Sequence, residues 1–156
     1  MEPFNIVLFE PEIPQNTGTI GRLAVSTDSR LHLIEPLGFS LEDKFLKRAG
    51  LDYWPRLAPN IHPDWDAFLA AERPARRFFL STHGQKNFFD AQFRPGDYLI
   101  FGKESAGLPP EFYERYRDEL WQIPMPGTFS RSLNLANAVS IVLYEAIRQN
   151  REAFGI

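Results

Sequence analysis

The sequence predicts an α/β fold with a mostly parallel sheet flanked by helices. Two observations support this prediction. Short apolar runs alternate along the chain with segments of helical periodicity, which is the pattern of a parallel sheet covered by helices on both faces. The 13 prolines fall mostly between these segments, as they do in loops that join regular elements. Because the 156 residues contain no linker and no internal repeat, we expect one domain over residues 1–156.

In the first half of the chain, helices are predicted to begin at capping residues, and strands are predicted from short apolar runs that end near proline or glycine. An apolar run at 6–9 predicts the first strand, and Asn16 is then expected to cap a helix from 17 to about 27. The second strand, at 31–34, ends before Pro36. The remaining predictions in this half are a helix opened by Ser40 and running to about 49, a weak strand at 57–61 and a helix at 64–72.

The second half ends in the longest helix of the chain, predicted for 134–150. Its apolar residues form a stripe that widens to nearly all sides, so this helix must be buried in the core or against another subunit. The clearest strand is 98–101, which stops at Gly102. The other predictions are a strand at 78–80, a short helix from Pro109 to about 116 and a last strand at 121–123.

The composition excludes several classes of protein. The chain has no cysteine, which excludes disulfides, zinc–thiolate sites and thiol nucleophiles. No apolar run approaches the ~20 residues that span a bilayer. The N-terminus lacks the basic start of a secretory signal, so we expect a cytoplasmic protein that does not contact a membrane. With 17 basic and 20 acidic residues the net charge is -3, which excludes only a uniformly basic nucleic-acid binder.

Three segments rich in Gly, Asn and Ser follow predicted strands, where parallel sheets bind ligands. The first, PQNTGTIGRLA at 14–24, places Asn16 at a helix N-terminus that could hold an anion, although an ordinary capped helix is the simpler interpretation. The second, FGKESAGLP at 101–109, lets a ligand approach the backbone at Gly102 and carries one carboxylate, Glu104. An ordinary loop between a strand and a helix is again the simpler interpretation.

The third segment, IPMPGTFSRSLNLANA at 123–138, is harder to explain by structure alone. It crowds four polar side chains in front of the most apolar helix: Ser130, Arg131, Ser132 and Asn134. Helix capping accounts for one of them and not for all four. On these residues alone, a functional and a structural interpretation are evenly balanced.

The remaining candidates are weaker. The histidines at 32, 62 and 83 lack the spacing of a metal site, so we expect packing or surface positions for them and no metal. The pair Phe88 and Phe89 would stack a base or, more simply, pack in the core. Two small basic clusters are expected to be solvated faces that could meet phosphates: Lys44, Lys47 and Arg48, and Arg73, Arg76 and Arg77.

In this order and at these positions, the three segments resemble the three motifs of the SPOUT class of RNA methyltransferases. They are similar in particular to the TrmL (YibK-like) family of tRNA 2′-O-methyltransferases. The similarity covers nearly the whole chain and includes NIVLFEPEIPQNTGTIGR, HLIEPLGF, RAGLDYW and LNLANAVSIVLYEA. The chain departs from the family pattern in one extra residue between Met125 and Arg131 and in Ala136, where a serine is common. The first change would alter the grip on the cofactor or on the RNA.

The resemblance implies a SPOUT fold with a C-terminal trefoil knot, although knots are rare. It also implies a homodimer, which suits the apolar last helix, and S-adenosylmethionine bound in a bent conformation in the knot. The cofactor contacts implied by the motif match are Leu80, Gly102, Ile123 and Ser132. Backbone groups and small side chains dominate this set, as expected for an adenine held by main-chain hydrogen bonds.

The activity that the resemblance implies is methyl transfer to the ribose 2′-hydroxyl of cytidine or uridine 34, in the anticodon loop of leucine tRNAs. Arg22 is the implied catalytic residue, and Glu104 and Asn134 are further catalytic candidates. The implied RNA contacts are Asn16, Arg22 and Arg131. A guanidinium holds its proton too tightly to act as an ordinary base, so we assign Arg22 to orientation and charge stabilisation. The alternatives are a related enzyme acting on another tRNA or rRNA position and a non-catalytic RNA-binding homologue.

Overall fold

A seven-stranded sheet forms the centre of the protein, and every pair of neighbouring strands in it is parallel. The computed structural model describes residues 2–44, 46, 48 and 54–156. The strands are β1 (Asn5–Phe9), β2 (Arg30–Ile34), β3 (Asn60–His62), β4 (Arg77–Leu80), β5 (Lys86–Asn87), β6 (Tyr98–Phe101) and β7 (Leu120–Gln122). Their order in the sheet is β3-β2-β1-β6-β4-β7-β5. The predicted α/β fold with a parallel sheet is thereby confirmed.

Five α-helices whose residues are all described connect or follow these strands. They are α1 (Pro14–Ser26), α2 (Trp54–Leu57), α3 (Trp65–Glu72), α4 (Pro110–Arg115) and α5 (Leu135–Gln149). The Asp64 side chain accepts a hydrogen bond from Ala67 N and caps α3, and the Asn134 side chain caps α5 by accepting from Asn137 N. The helices predicted at 64–72, from Pro109 to about 116 and at 134–150 are confirmed to within one or two residues. None of the described helices is long and apolar enough to cross a membrane.

The core lies on both faces of the sheet because side chains alternate along each strand. In β1, Ile6 and Leu8 pack in the cluster that contains α1 and α5, whereas Val7 and Phe9 pack in the cluster that contains α3 and α4. Strands buried on both faces read as continuous apolar runs, which is why these segments were recognisable from the sequence. The sheet therefore holds the ends of its strands in a fixed frame from which the loops project.

The start of α1 differs from the prediction. We expected Asn16 to cap a helix that begins at residue 17, but α1 begins at Pro14 and Ile13 occupies the cap position. Proline suits the first turn of a helix because the N–H that it lacks has no partner there in any case. The Ile13 side chain has no polar group to cap the helix with, so any side-chain cap must come from elsewhere in the chain. Asn16 points inward and is 8% exposed.

Other differences concern short elements. The weak strand predicted at 57–61 is present but begins later: α2 ends at Leu57 and the strand is Asn60–His62. The last strand is Leu120–Gln122, so Ile123 lies just beyond it. The two-residue strand β5 was not predicted, because two residues carry no periodicity. The predicted helix from 40 to about 49 includes residues 45, 47 and 49, which lie outside the described residues.

Helix α5 buries one side in the core and leaves the other in solvent. Val139, Val142 and Ala146 are fully buried, as the apolar stripe predicted. Ile141 and Tyr144, which belong to the wider apolar surface, are 39% and 54% exposed. The apolar surface of this helix is therefore larger than one chain covers. The trefoil knot and the homodimer stay predictions.

Candidate active site

A cavity of about 540 Å³ opens at the carboxyl ends of β4, β6 and β7. Small-molecule sites have volumes of this order, and in parallel sheets they lie at this edge. Leu80 and Phe101 are the last residues of β4 and β6, and Gln122 is the last residue of β7. All three of the segments rich in Gly, Asn and Ser contribute to the wall of this cavity.

The cavity brings together most of the residues that the sequence proposed for the site. Those that line it are Asn16, Leu80, Gly102, Glu104, Ile123, Ser132 and Asn134. Two others, Arg22 and Arg131, do not line it and are exposed. The four positions expected to contact the cofactor thus share one cavity, and their role in binding stays a prediction.

The turn after β6 folds the backbone of Gly102 against the residues that follow it. Lys103 N donates to Gly107 O over 3.1 Å and Gly107 N donates to Lys103 O over 2.8 Å, so two backbone hydrogen bonds close the turn. Gly107 has a φ of +72°, a left-handed conformation that favours glycine. A Cβ atom at Gly102 would overlap the carbonyl carbon of Gly107 and the nitrogen of Leu108. The turn itself therefore requires Gly102, whether or not a ligand approaches it.

The carboxylate of Glu104 supplies the helix cap that α1 lacks. Its Oε1 atom accepts from Glu12 N over 2.8 Å, and its Oε2 atom accepts from Ile13 N over 2.9 Å. A carboxylate at this end of a helix also complements the positive end of the helix dipole. In return, Ser105 N donates to the Glu12 side chain over 2.8 Å, and the hydrogen bonds from Ser105 lower the pKa of Glu12. These reciprocal bonds join the turn after β6 to the start of α1.

A chain of side-chain hydrogen bonds extends from Glu104 to the third segment. Asn16 Nδ2 donates to Glu104 Oε2 over 3.2 Å, and Asn134 Nδ2 donates to Asn16 Oδ1 over 3.1 Å. The side-chain oxygen of Asn134, Oδ1, caps α5 by accepting from Asn137 N. Each of the three segments contributes one member of this chain. Both oxygens of Glu104 are engaged, so the carboxylate holds the segments together, and its catalytic role and that of Asn134 stay predictions.

Arg22 lies away from the cavity of its own chain. It follows Asn16 by six residues in α1, which turns its side chain by about 240° around the helix axis. Asn16 is buried on the cavity side, whereas Arg22 is exposed. The sequence grouped these two residues in one motif, and the helix separates the directions in which they point. The geometry within one chain therefore gives Arg22 no contact with the cavity.

The sequence missed a buried polar cluster on the face of the sheet opposite α1 and α5. His32 Nδ1 lies 3.2 Å from His62 Nε2, and His32 Nε2 lies 3.1 Å from Asn5 Oδ1. Glu72 Oε1 is 3.7 Å from His32 Nε2 and accepts from the Tyr98 hydroxyl over 2.9 Å. The spacing of these histidines along the chain gave no sign that His32 and His62 are in contact. They are 30 residues apart, and only the pairing of β2 with β3 brings them together.

Hydrogen bonding fixes the protonation of this cluster. Asn5 Nδ2 donates to Gly96 O over 3.1 Å, so Asn5 Oδ1 accepts from His32 Nε2 and leaves His32 Nδ1 to accept from His62. Burial lowers the pKa of His32 to about 4 and also lowers the pKa of His62. His32 turns one nitrogen toward His62 and the other toward Glu72. His32 and His62 therefore form a buried network with Glu72, in which one candidate ligand atom from each of the three side chains lies within 4.8 Å of the other two.

Of the other candidates, His83 lines the cavity and has its ring centroid 5.0 Å from that of Tyr113, whereas Phe88 and Phe89 do not line it. Phe88 is fully buried, as core packing predicted, but Phe89 is 59% exposed. Two residues of one basic cluster are engaged in ion pairs, Arg76 with Asp97 at 2.8 Å and Arg77 with Glu119 at 2.9 Å. Lys47, from the other basic cluster, lies outside the described residues.

Comparison of the sequence with known families gives one match that covers most of the chain. Residues 3–144 match the SpoU rRNA Methylase family. The tRNA (cytidine(34)-2′-O)-methyltransferase of Burkholderia pseudomallei (strain 1106a) is 52% identical over 150 residues, which are 94% of this chain and 95% of that protein. The protein of the same name from Escherichia coli (strain K12) is 51% identical over 146 residues, which are 93% of this chain and 92% of that protein.

Solved structures agree with this match. A chain from a study of 2-OH methylation of C/U34 on tRNA superposes with a TM-score of 0.91 at 49% identity, over 97% of this chain and 98% of that chain. The SpoU methyltransferase AviRb from Streptomyces viridochromogenes, in complex with AdoMet, superposes with a TM-score of 0.80 at 28% identity, over 97% of this chain and 59% of that chain. The resemblance noted in the sequence is thus confirmed at the level of the whole chain. With three segments meeting at one cavity and a match over nearly all of its length, this chain belongs to the SpoU rRNA methylase family.

Proposed function

We propose that this protein transfers a methyl group from S-adenosylmethionine to the ribose 2′-hydroxyl of nucleotide 34, a cytidine or a uridine, in tRNA. The observation that carries the proposal is the meeting of three distant segments at one cavity, where Glu104, Asn16 and Asn134 tie them together. Relatives with about 50% sequence identity to this chain are named as methyltransferases of cytidine 34 in tRNA. We further propose that the substrates are leucine tRNAs, that the protein acts in the cytoplasm, and that the chain forms a single domain.

The cavity suits a methyl donor of this kind in its size and in the chemistry of its wall. Leu80 and Ile123 offer apolar surface, whereas Gly102 and Ser132 offer backbone groups and a hydroxyl. S-adenosylmethionine, when bound, supplies a methyl carbon that is electrophilic without a metal: the O–CH₃ bond forms as the S–CH₃ bond breaks, its electron pair stays on sulfur and the hydroxyl proton is released. The chain must therefore align the 2′-oxygen with that carbon and assist loss of the proton.

We assign Glu104 and Asn134 to positioning within this reaction. Both oxygens of Glu104 accept hydrogen bonds from N–H donors, and the Asn134 amide both donates to Asn16 and caps α5. Groups engaged in this way fix the distance between the segments that form the cavity. A cavity with fixed walls would hold the methyl donor in one orientation. Correct orientation of the two reactants accounts for much of the rate acceleration in such a transfer.

We propose that Arg22 acts on the cavity of a second copy of the chain. Arg22 is exposed and does not line the cavity of its own chain, and α5 leaves apolar surface at Ile141 and Tyr144. A symmetric pair of chains would cover this apolar surface and could bring Arg22 to the partner's cavity. There its guanidinium would orient the RNA and stabilise the negative charge that develops on the 2′-oxygen.

The test is a methylation assay with the purified protein, S-adenosylmethionine and, in separate reactions, total tRNA, individual leucine tRNAs and rRNA. The methylated nucleotide is then mapped by nuclease digestion and mass spectrometry. We expect a 2′-O-methyl group at nucleotide 34 of leucine tRNAs. Methylation at another tRNA or rRNA position would replace the proposal by the related activity that the sequence left open. Binding of tRNA with no methylation would support the non-catalytic alternative.

Two substitutions, Arg22→Ala and Arg22→Lys, test the proposed role of Arg22 in methyl transfer. Arg22→Ala should lose most of the methyl transfer and keep its affinity for S-adenosylmethionine, measured by titration calorimetry, because Arg22 does not line the cavity that would bind the donor. Arg22→Lys keeps the charge and loses the planar fork, so it should recover only part of the rate. Near-normal turnover of Arg22→Ala would remove Arg22 from the mechanism.

A further inference from the structure

The loop between β7 and α5 forms one wall of the cavity and then extends beyond it. Ile123 and Met125 on one arm of this loop and Ser132 and Leu133 on the other line the cavity. Residues 126–131, between the two arms, do not line it. We refer to residues 126–131 as the loop tip. The loop tip starts and ends at the cavity wall, on the side of the molecule that an RNA must approach if one of its riboses is to enter.

The loop tip carries an aromatic side chain in solvent. Phe129 is 97% exposed, more than any other large apolar residue in the described part of the chain. The turn that carries it is held by the Ser130 hydroxyl, which lies 3.0 Å from Met125 O and 2.6 Å from Gly127 O. Leaving a phenyl ring in water forgoes the stabilisation that burial would give. The protein therefore presents this ring outward from a defined turn.

The surroundings of Phe129 favour a flat, anionic partner. The stretch from 120 to 144 contains no Asp or Glu, and Arg131 is exposed two residues from Phe129. Two further apolar side chains that line the cavity, Ile13 and Leu133, are 42% and 38% exposed. Arg131 is thus the one charged residue of this stretch, which is positive although the net charge of the chain is -3. Single-stranded nucleic acids bind where aromatic rings stack on bases and cations meet phosphates.

We propose that Phe129 stacks on an unpaired RNA base next to the nucleotide whose ribose enters the cavity, with Arg131 near the adjoining phosphate. This inference rests on the proposed function, since it takes the anticodon loop as the substrate. A loop of single-stranded RNA offers bases whose faces are free for stacking. Phe129 thereby sets the position of the RNA relative to the cavity and is a residue of substrate recognition, whereas the methyl donor binds without it.

A second copy of the chain is the other partner that could cover Phe129. The cores of such interfaces are depleted in charge, whereas the loop tip carries Arg131 two residues from Phe129 and includes no carboxylate to pair with it. The apolar surface that a second copy would cover is on α5, at Ile141 and Tyr144. The charge beside Phe129 therefore favours RNA as its partner.

The experiment compares three substitutions that separate aromatic stacking from apolar contact: Phe129→Ala, Phe129→Leu and Phe129→Trp. Affinity for a leucine tRNA is measured by fluorescence anisotropy, kcat and KM for the tRNA by methylation, and affinity for S-adenosylmethionine by calorimetry. The oligomeric state is measured by light scattering. The matched control is Phe89→Ala, which removes another exposed phenyl ring, 59% exposed, that does not line the cavity.

We expect Phe129→Ala and Phe129→Leu to weaken tRNA binding and raise KM about tenfold, as loss of one stacked base would, with little change in kcat or donor affinity. Phe129→Trp should bind tRNA as the original protein does. Unchanged tRNA affinity in Phe129→Ala, or full affinity in Phe129→Leu, would overturn the proposal, and so would dissociation of a dimer in Phe129→Ala. If the unsubstituted protein bound tRNA without methylating nucleotide 34, the proposed function would fail, while the anisotropy measurement would still test Phe129.

Discussion

The carboxylate of Glu104 accepts from three N–H donors that lie about 90 positions earlier in the chain, on Glu12, Ile13 and Asn16. Hydrogen bonds to an ionised group contribute roughly 1.5–3 kcal/mol each, more than bonds between neutral groups. A carboxylate is suited to this place because it offers acceptors only. An amide of the same shape would turn one N–H group toward a donor and leave that donor without a partner.

Glu104→Gln should therefore destabilise the protein and slow methyl transfer. We expect the free energy of unfolding, measured by urea denaturation, to fall by about 2 kcal/mol. The matched control is Glu114→Gln. The Glu114 side chain is 88% exposed, and its ion pair with Arg117, at 3.9 Å, lies on the surface and contributes little to stability. Equal stability of Glu104→Gln and Glu114→Gln would mean that the bonds to α1 contribute nothing.

At the scale of elements, the strands and α5 were predictable because each is long enough to show its periodicity. The burial of β1 and β6 on both faces left continuous apolar runs in the sequence, and the stripe of α5 repeats over four turns. The start of α1 was not predictable, because its cap is the side chain of Glu104 rather than a residue beside it. Capping rules read neighbours in sequence, and this partner is a neighbour only in space.

The candidate site was predictable in its members but not in their contacts. The resemblance selected residues that do line one cavity, among them Gly102 and Asn134. It gave no sign that Asn16 bridges Glu104 and Asn134, since those bonds join positions 88 and 118 residues apart. The pair of buried histidines was missed for the same reason, because the register of two parallel strands creates it. Patterns in one sequence report local periodicity and leave long-range side-chain pairs undetermined.

The turn after β6 gives a prediction that contrasts two glycines. Gly102→Ala should open the turn and abolish binding of S-adenosylmethionine, because the added Cβ would overlap the backbone at Gly107 and Leu108. Gly127→Ala should bind the donor normally, because nothing lies within 4 Å of a Cβ built there. Calorimetric titration with the donor checks both variants, and circular dichroism checks that each is folded. Normal affinity for S-adenosylmethionine in folded Gly102→Ala would show that donor binding does not depend on the closed turn.

At the scale of the whole molecule, the buried histidines couple stability to pH. Burial lowers the pKa of His32 to about 4, whereas an unfolded chain holds a histidine near its ordinary value of about 6.5. Between these values the unfolded state binds more protons than the folded state, so the free energy of unfolding rises with pH and levels off above about 6.5. His62 acts in the same direction because burial lowers its pKa as well. Acid therefore weakens the fold before most carboxylates are protonated.

We expect the free energy of unfolding to fall by about 2 kcal/mol from about pH 7.5 to about pH 5. In this range Glu12 and Glu145, whose pKa values are lowered, stay ionised in the folded protein. His32→Gln should flatten the dependence although it destabilises the protein at every pH, whereas His83→Gln, which removes an exposed imidazole outside the cluster, should not. Urea denaturation at each pH gives the slope. A slope in His32→Gln equal to that of the original protein would contradict this account.

Two inactive variants should complement each other in a mixed dimer if Arg22 acts on the cavity of the partner chain. In a symmetric dimer, each cavity would be completed by the Arg22 of the other chain. A chain with Arg22→Ala keeps a working cavity, and a chain with Gly102→Ala keeps a working Arg22, so neither dimer alone should methylate tRNA. A dimer of one chain of each kind should contain one complete site, formed by the cavity of the first and the Arg22 of the second.

Mixed dimers, isolated through different tags on the two chains, should recover about half of the activity per dimer, since one of two sites is complete. If Gly102→Ala fails to fold, Ile123→Trp can replace it, because Ile123 lines the cavity and an indole there would occupy it. If Arg22 served the cavity of its own chain, each protomer of the mixed dimer would lack one part and no activity would return. Activity on mixing thus separates the two arrangements through a gain of function, which general destabilisation of either variant cannot imitate.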